Sequence, residues 1–246
     1  MEWTEEALIL GVRKHGETSV ILEVMTQARG RARGLIRGGR SRRLQPVLQA
    51  GNRVRVTWRA RLEDHLGVFT IEPVELRAAR LMETGVGLHG IQVLAAHLRL
   101  LPERDPHPAL VEAAEVVIGN LDDAMVTAVL LIRFELALLD ELGFGLDLSV
   151  CAATGGSQDL AYVSPKSGRA VSRAAGAPYH DRMLPLPAFL LSGRAPQAFA
   201  DIADAFRLTG YFLHRHIYDP RSVKPPLSRE TLSRDIERVI CGNSAG

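Results

Sequence analysis

The stretch Arg53-Val54-Arg55-Val56-Thr57-Trp58-Arg59-Ala60-Arg61-Leu62 alternates between polar and apolar side chains over its whole length. Successive side chains of a β-strand point to opposite faces, so this alternation predicts a strand with one apolar face and one cationic face. We expect Trp58 in the core, and stacking of Trp58 on a nucleobase is the alternative. The apolar face would also hold Val54, Val56, Ala60 and Leu62, and the cationic face Arg53, Arg55, Arg59 and Arg61.

Four further runs of β-branched and apolar residues, divided by turn residues, accompany this stretch within the first 80 residues. Closing five strands into a barrel removes exposed sheet edges, and the five-stranded OB-fold is a barrel of this size that binds nucleic acid. An SH3-like barrel is the alternative. The predicted strands span roughly residues 6–14, 19–26, 30–37, 53–63 and 67–76.

Beyond Arg80 the apolar residues recur at helical spacing. The clearest helix is nearly apolar all round, so we expect it to be buried, with Asp122 or Asp123 capping its start and Gly143 at its end. Residues 144–187 are loosely patterned around one possible hairpin, 160–163 with 170–172. The predicted helices span roughly residues 88–98, 108–121, 124–142, 195–218 and 228–240.

These patterns together predict an α+β protein. Residues 1–80 would form a five-stranded OB-fold barrel that binds nucleic acid. Residues 81–246 would form an all-α helical domain that includes the irregular insert 144–187.

The charge of the chain is unevenly distributed. The net charge is +2, but residues 1–80 hold 15 Lys+Arg against 9 Asp+Glu, and 11 arginines lie between Met25 and Leu62 without an acid. Such a density of arginine indicates a polyanionic partner. The alternative is a solvated face on the strand 53–62, balanced by acids elsewhere in the barrel. Those acids would be Glu5, Glu6, Glu63 and Glu72.

The segment Arg37-Gly38-Gly39-Arg40-Ser41-Arg42-Arg43 is the second cationic feature. Glycines allow backbone amides close to a phosphate, and guanidinium groups match phosphate oxygens in a two-pronged geometry. The alternative is a solvated loop in an arginine-rich protein, because the chain holds only three lysines. Trp3 and Phe69 are weaker candidates for base stacking. The predicted DNA-binding residues are Arg31, Arg33, Arg37, Arg40, Arg42, Arg43, Arg53, Arg55, Arg59 and Arg61.

Other functional classes find little support in the sequence. It contains neither a Walker motif nor a nucleophile elbow, so we expect no catalysis and no cofactor. Its apolar runs are too short to cross a bilayer, and its first residues do not resemble a secretory signal. We therefore expect a cytoplasmic, nucleoid-associated protein, with Cys151 and Cys241 as free thiols.

Several segments, in this order along the chain, resemble the RecO family of recombination mediators. No single segment is decisive, but the ordered set is specific and spans most of the chain. The resemblance implies an N-terminal OB-fold, binding of single-stranded and duplex DNA, and annealing of complementary strands. It also implies work with RecR and single-strand-binding protein to load RecA. The matching segments are residues 7–10, 16–22, 34–41, 48–61, 133–145 and 163–168.

Two details of the resemblance concern the C-terminal part of the chain. The family holds the acidic, apolar C-terminal tail of single-strand-binding protein on its helical domain, where Arg133 is the residue that could meet a carboxylate. Pairing of Arg133 with an acid of its own domain is the alternative. Many relatives also carry a four-cysteine zinc ribbon, and the corresponding positions here are Cys151, Thr154, Ser172 and Ala175.

One thiolate cannot hold a structural zinc, which normally needs four ligands, so we expect no metal. Bound zinc near one equivalent per chain would contradict this expectation. The insert would instead be held by packing of Leu160, Tyr162 and Val171. Two rival functions remain from the residues alone: an RNA-binding OB module, and an enzyme with an unrecognised site.

Overall fold

The computed structural model of the protein describes residues 1–62 and 64–242. Contacts between Cα atoms divide the chain into two compact units, Met1–Asp122 and Asp123–Gly246. Strands give way to helices between residues 75 and 78, close to the predicted change at Arg80. That residues 1–80 and 81–246 are the folding domains stays a prediction.

The first unit contains a closed β-barrel with the strand order β1-β2-β3-β5-β4. This is the predicted OB-fold rather than an SH3-like barrel. The long strand β1 closes the barrel, because residues 2–8 pair with β4 and residues 7–15 pair with β2. The strands are β1 Glu2–His15, β2 Ser19–Thr26, β3 Gly30–Ile36, β4 Arg53–Arg59 and β5 Val68–Glu75.

The inner face of β4 forms part of the barrel core. Val54 and Val56 are fully buried and Trp58 is 3% exposed, which confirms the alternation predicted for this stretch and the core position of Trp58. The predicted strand is too long, however, because β4 ends at Arg59. Its assigned pairing with β1 ends where Arg59 lies opposite Glu2, and the hydrogen bonds that continue between Met1 and Ala60 lie beyond both strands. Leu62 consequently lies outside the core and is 53% exposed.

Three helices complete the first unit. Thr84 caps α2 by accepting a hydrogen bond from the backbone N–H of Gly87 at 2.9 Å. Arg77 joins barrel and helices, since it donates to the carbonyl of Gly51 at 2.6 Å and to Glu115 at 2.7 Å. The helices are α1 Ala78–Leu81, α2 Gly85–Leu98 and α3 Pro108–Gly119.

The second unit is built around α4, the predicted buried helix. Asp123 caps it by accepting hydrogen bonds from the N–H groups of Met125 and Val126, and Gly143 follows it with a φ of 85°. Glu135 is fully buried in this helix and paired with Arg229. The main helices are α4 Ala124–Glu141, α6 Phe199–Leu213, which continues as a π-helical turn His214–Tyr218, and α7 Leu227–Gly242.

The insert contains a small three-stranded sheet of order β7-β6-β8. Its central hairpin matches the predicted one, and β8 is an addition that the sequence pattern did not indicate. Val163 and Ala170 are fully buried, so the insert has a small apolar centre of its own. Its elements are β6 Leu160–Val163, β7 Ala170–Ser172, α5 Arg173–Gly176, β8 Leu184–Pro185 and the 3₁₀ turns Ala177–Arg182 and Ala188–Leu190.

Candidate nucleic-acid interface

The outer face of β4 carries arginines that are paired with carboxylates on the neighbouring strands. Arg53 donates to Glu6 at 2.7 Å and Arg59 to Glu2 at 2.8 Å. Arg55 lies between two acids, 3.5 Å from Glu6 and 3.7 Å from Glu72. The strand register causes this arrangement, because β1 and β5 place an acid beside each of these arginines.

The charge-balanced face that was the alternative interpretation of β4 is therefore present, with a partly different set of acids. Glu6 and Glu72 take part as expected, and Glu2 joins them. Glu5 instead pairs with Arg29 at 3.5 Å. Glu63 lies outside the described residues. The hydrogen bond from Arg59 lowers the pKa of Glu2, which keeps that carboxylate ionised at neutral pH.

The two predicted arginines of β3 are also engaged within the fold. Arg31 donates to Glu23 at 2.6 Å and to the carbonyl of Leu101 at 3.1 Å, and only 18% of its side chain is exposed. Arg33 makes two hydrogen bonds to one oxygen of Glu103, at 2.6 and 3.0 Å. Arg31 therefore offers little surface to a polyanion, whereas Arg33 is 46% exposed.

Glu23 lies at the centre of this second ionic cluster. It accepts hydrogen bonds of 2.6 Å from Arg31 and from Arg99, the residue that follows α2. Burial acts to raise the pKa of Glu23, but the hydrogen bonds from Arg99 and Arg31 outweigh it and lower that pKa. Glu23 therefore stays ionised at neutral pH, and this one carboxylate is shared between two guanidinium groups.

The loop 37–43 differs from both strands. Its four arginines are all exposed, and within residues 1–62 and 64–242 none of them forms an ion pair with a carboxylate. Gly38 has a φ of 66°, a left-handed conformation that glycine adopts without strain. Uncompensated guanidinium groups are thus concentrated here. They are Arg37, Arg40, Arg42 and Arg43.

Arg40 fixes this loop against the β1–β2 hairpin. Its guanidinium donates to the carbonyl of Glu17 at 2.5 Å and to that of Gly16 at 3.4 Å, and its backbone N–H donates to Thr18. The hairpin adds Lys14, which is exposed and has no carboxylate partner in the described part of the chain. Loop and hairpin thereby bring cations from two parts of the sequence together.

A groove of about 340 Å³ lies between the loop and the hairpin. Lys14 and Arg40 line its sides, and Val12, Val20 and Leu48 supply apolar surface. We call it the loop–hairpin groove. Lys14 and the apolar surface were not predicted from the sequence, because no local pattern indicates that the hairpin approaches the loop. A cationic rim above an apolar floor suits a strand with phosphates outside and bases inside.

The remaining predicted DNA-binding residue is Arg61, which follows the end of β4. It is exposed and, among the described residues, no acid forms an ion pair with it. The predicted set therefore divides into five arginines held by acids of their own fold and five that are not so held. The first group is Arg31, Arg33, Arg53, Arg55 and Arg59, and the second is Arg37, Arg40, Arg42, Arg43 and Arg61.

Arg133, the predicted partner-binding residue, is exposed on α4. Residues two apart on a helix face different directions, so Arg133 points away from the buried Glu135. The acid that does pair with an arginine in this core is Glu135, and its partner is Arg229 of α7 at 2.7 Å. Within the described residues no carboxylate pairs with Arg133, so the internal pairing considered for it is not observed.

The positions that correspond to a zinc ribbon come together in the insert without forming a metal site. Cys151 is 1% exposed, its Sγ accepts the backbone N–H of Ser172 at 3.2 Å, and the Ser172 Oγ lies 3.5 Å away. Hydrogen bonds from Thr154 and Ser172 lower the pKa of the Cys151 thiol to about 6. In the described part of the chain, no three His, Cys, Asp or Glu side chains cluster closely enough to hold a metal. That the protein binds no zinc stays a prediction.

Comparison with known proteins identifies the family. The family model described as "Recombination protein O N terminal" matches residues 1–77, which contain the barrel, and "Recombination protein O C terminal" matches residues 93–225.

No helix among the described residues is long and apolar enough to span a membrane.

Curated relatives match over nearly the whole chain. The protein named "DNA repair protein RecO" of Mesorhizobium japonicum is 64% identical over 230 residues, covering 93% of this chain and 91% of its own. The protein of the same name from Agrobacterium fabrum is 62% identical over 231 residues, covering 94% of this chain and 91% of its own. With both family models and these identities in agreement, the chain belongs to the RecO family.

Proposed function

We propose that this protein is a DNA repair and recombination mediator that grips single-stranded DNA in the loop–hairpin groove. The observation that carries the proposal is the group of four exposed arginines in loop 37–43, for which residues 1–62 and 64–242 provide no carboxylate partner. Membership of the RecO family supports the role in DNA repair. The protein would work at the nucleoid, with duplex DNA as a second, phosphate-held ligand.

The paired arginines of the sheet take a secondary part in this proposal. A phosphate that approaches Arg53 or Arg59 must compete with a carboxylate less than 3 Å away. Such exposed pairs are worth only about 0–1 kcal/mol, so a phosphate can displace the acid at a modest cost. We therefore assign the main contacts to Arg37, Arg40, Arg42 and Arg43, and smaller ones to the strand arginines and Arg61.

The proposed mechanism is charge neutralisation and makes or breaks no covalent bond. Two complementary strands repel each other through their phosphates, and the loop arginines reduce that repulsion long enough for bases to pair. Each phosphate contact releases counterions, which lowers the slope of log K against log salt by about 0.7 on a single strand. Binding and annealing should both weaken steeply as salt rises.

The proposal extends to protein partners through the second unit. Arg133, which is exposed and has no carboxylate partner in the part of the chain that the structure describes, would bind a carboxylate in the acidic, apolar tail of single-strand-binding protein. Together with RecR, the protein would then help RecA onto DNA coated by single-strand-binding protein. The separation of DNA and tail between two units would let one molecule hold both ligands at once.

The proposal is tested by annealing complementary oligonucleotides that are coated with single-strand-binding protein, with and without ATP. The wild type should anneal them at the same rate in both conditions, since no step consumes a nucleotide. The triple variant Arg40→Ala, Arg42→Ala, Arg43→Ala should anneal them at least tenfold more slowly. The matched control replaces Arg53, Arg55 and Arg59, equal in number but paired with acids. A requirement for ATP, or tighter binding of structured RNA than of single-stranded DNA, would contradict the proposal.

A further inference from the structure

A small cleft opens beside the indole of Trp3, apart from the loop–hairpin groove. Its volume is about 120 Å³, and the small side chains of Ala28, Ala32 and Pro106 leave room beside the ring. A cavity of about 150 Å³ in another protein accommodates benzene, so this cleft has room for roughly one planar ring. Its size excludes a dinucleotide or a drug-sized ligand.

Trp3 forms one wall of the cleft and is held in a fixed orientation. Its indole stacks on Trp58 at a centroid distance of 5.9 Å and an interplanar angle of 17°, and Phe69 meets it edge-on at 5.9 Å. Trp58 is itself anchored, because its Nε1 donates to the carbonyl of Leu66 at 3.0 Å. Trp3 is only partly buried, so the barrel core supports a rigid aromatic surface that reaches the solvent.

Arg29 lies over the Trp3 ring, with its guanidinium carbon 5.8 Å from the ring centroid. Its ion pair with Glu5 is long, at 3.5 Å, and 49% of its side chain is exposed. Arg29 is therefore held loosely where an incoming ring would stack. It can move aside or stack on the far face of that ring, because guanidinium planes stack on bases as aromatic rings do.

Two further arginines line the cleft. Arg33 is neutralised by Glu103, whereas Arg104 donates to the carbonyl of His65 at 3.0 Å and has no carboxylate partner among the described residues. Arg104 also has a φ of 64°, a conformation uncommon for a residue with a side chain. Arg104 therefore supplies one uncompensated positive charge beside the aromatic wall.

We infer that this cleft takes one unstacked nucleotide of single-stranded DNA, with the base against Trp3 and a phosphate at Arg104. The inference rests on the proposed function. It adds a contact to a base to the phosphate contacts assigned to the loop–hairpin groove. Duplex DNA keeps its bases stacked and paired, so it cannot fill the cleft. The cleft would thus favour single strands and would release the product once annealing has formed a duplex.

The test uses the two tryptophans of the chain, of which only Trp3 reaches the solvent. In Trp58→Phe, fluorescence comes from Trp3 alone; should that variant not fold, the difference between wild type and Trp3→Phe gives the same signal. Each protein is titrated with a labelled thymidine oligonucleotide and with an abasic oligonucleotide of equal length. Label anisotropy reports total binding, and indole fluorescence reports the cleft.

We expect both oligonucleotides to bind and only the thymidine strand to quench Trp3. Trp3→Leu should weaken thymidine binding by about fivefold or more, the effect of losing one stacked base, and leave abasic binding unchanged. Trp3→Phe should retain part of the affinity. Binding without quenching, or an equal loss on both oligonucleotides in Trp3→Leu, would overturn the inference and leave the proposed function standing. Failure of both oligonucleotides to bind would instead refute the proposed function.

Discussion

The outer face of β4 and the loop 37–43 are both rich in arginine, yet their charges have different fates. Arg53, Arg55 and Arg59 of the strand each lie within 4 Å of a carboxylate, whereas among the described residues the arginines of the loop do not. Like charges side by side on a sheet repel, so the fold itself needs acids on β1 and β5. A loop can spread its side chains into solvent. Arginine density in a strand therefore says less about a polyanionic partner than the same density in a loop.

Arg229 occupies a third kind of arginine environment, and its substitution should have the largest effect. Arg229 is mostly buried and holds Glu135 through two hydrogen bonds, at 2.7 and 2.8 Å. Arg229→Ala would break this buried ion pair by removing its cation, which costs about 3–5 kcal/mol. Urea denaturation should show this loss in the free energy of unfolding. Arg238→Ala, which removes an exposed helical arginine, is the control and should cost less than about 1 kcal/mol.

Arg133 extends the comparison to the second unit, because it is exposed and, like the loop arginines, has no carboxylate partner within the described residues. Arg133→Ala should weaken binding of a single-strand-binding-protein tail peptide by about tenfold, or about 1.4 kcal/mol, near the lower end of the range for a charge-assisted hydrogen bond. Its affinity for naked DNA should not change, since no DNA contact is assigned to it. Isothermal titration with peptide and with oligonucleotide measures both. A parallel loss of the two affinities would show that the roles are not separate.

Glu6→Gln sharpens the comparison by releasing strand arginines from their acid. Glu6 lies 2.7 Å from Arg53 and 3.5 Å from Arg55, so its removal should release Arg53 from its acid and leave Arg55 with Glu72 alone, at 3.7 Å. We expect tighter single-strand binding and a log–log salt slope steeper by up to about 1.4, for two added phosphate contacts. Glu83→Gln, at an exposed acid of the same unit, removes the same charge as a control. An unchanged slope in Glu6→Gln would show that the carboxylate does not shield these arginines.

The smallest expected effect is on the pH dependence of stability, and it arises at the thiol of Cys151 rather than at a DNA-binding residue. The pKa of Cys151 is lowered to about 6 by hydrogen bonds from Thr154 and Ser172, below the value of about 8.5 for a free cysteine. A lowered pKa stabilises the fold fully above the unfolded value, and this contribution disappears as pH falls towards 6. Cys151→Ser should therefore lose more stability relative to wild type at pH 9 than at pH 6. Thermal denaturation at both pH values, with Cys241→Ser as control, measures this; equal losses would contradict it.

Much of the fold could be predicted because its patterns are local. The alternation of residues 53–59 follows from the geometry of one strand, and Asp123 and Gly143 mark the ends of α4 by their own conformational preferences. The end of β4 could not be predicted, because it depends on the pairing of β4 with β1, which lies far away in the sequence. The short strand β8 was missed for a similar reason, since its two residues carry no periodicity.

The candidate site was only partly visible in the sequence. The glycines and arginines of loop 37–43 stand in a segment without acids, so an uncompensated charge could be predicted there. Arg59 and Glu2 are 57 residues apart in the sequence, so their pairing depends on the register of β4 against β1. No local sequence pattern predicts that register. Lys14 and the Trp3 cleft likewise depend on tertiary packing. Ion pairs between residues far apart in the sequence were thus the main reason why the candidate site could not be predicted in full.

The central claim is tested most directly by the salt dependence of single-strand binding in two triple variants. Arg40→Ala, Arg42→Ala, Arg43→Ala should reduce the magnitude of the log–log slope by about 2, three contacts of about 0.7 each. Arg53→Ala, Arg55→Ala, Arg59→Ala should reduce it by less than half as much, because their acids are already neutralising them. Equal reductions, or a larger one in the strand variant, would contradict the claim that the loop arginines make the main contacts to DNA.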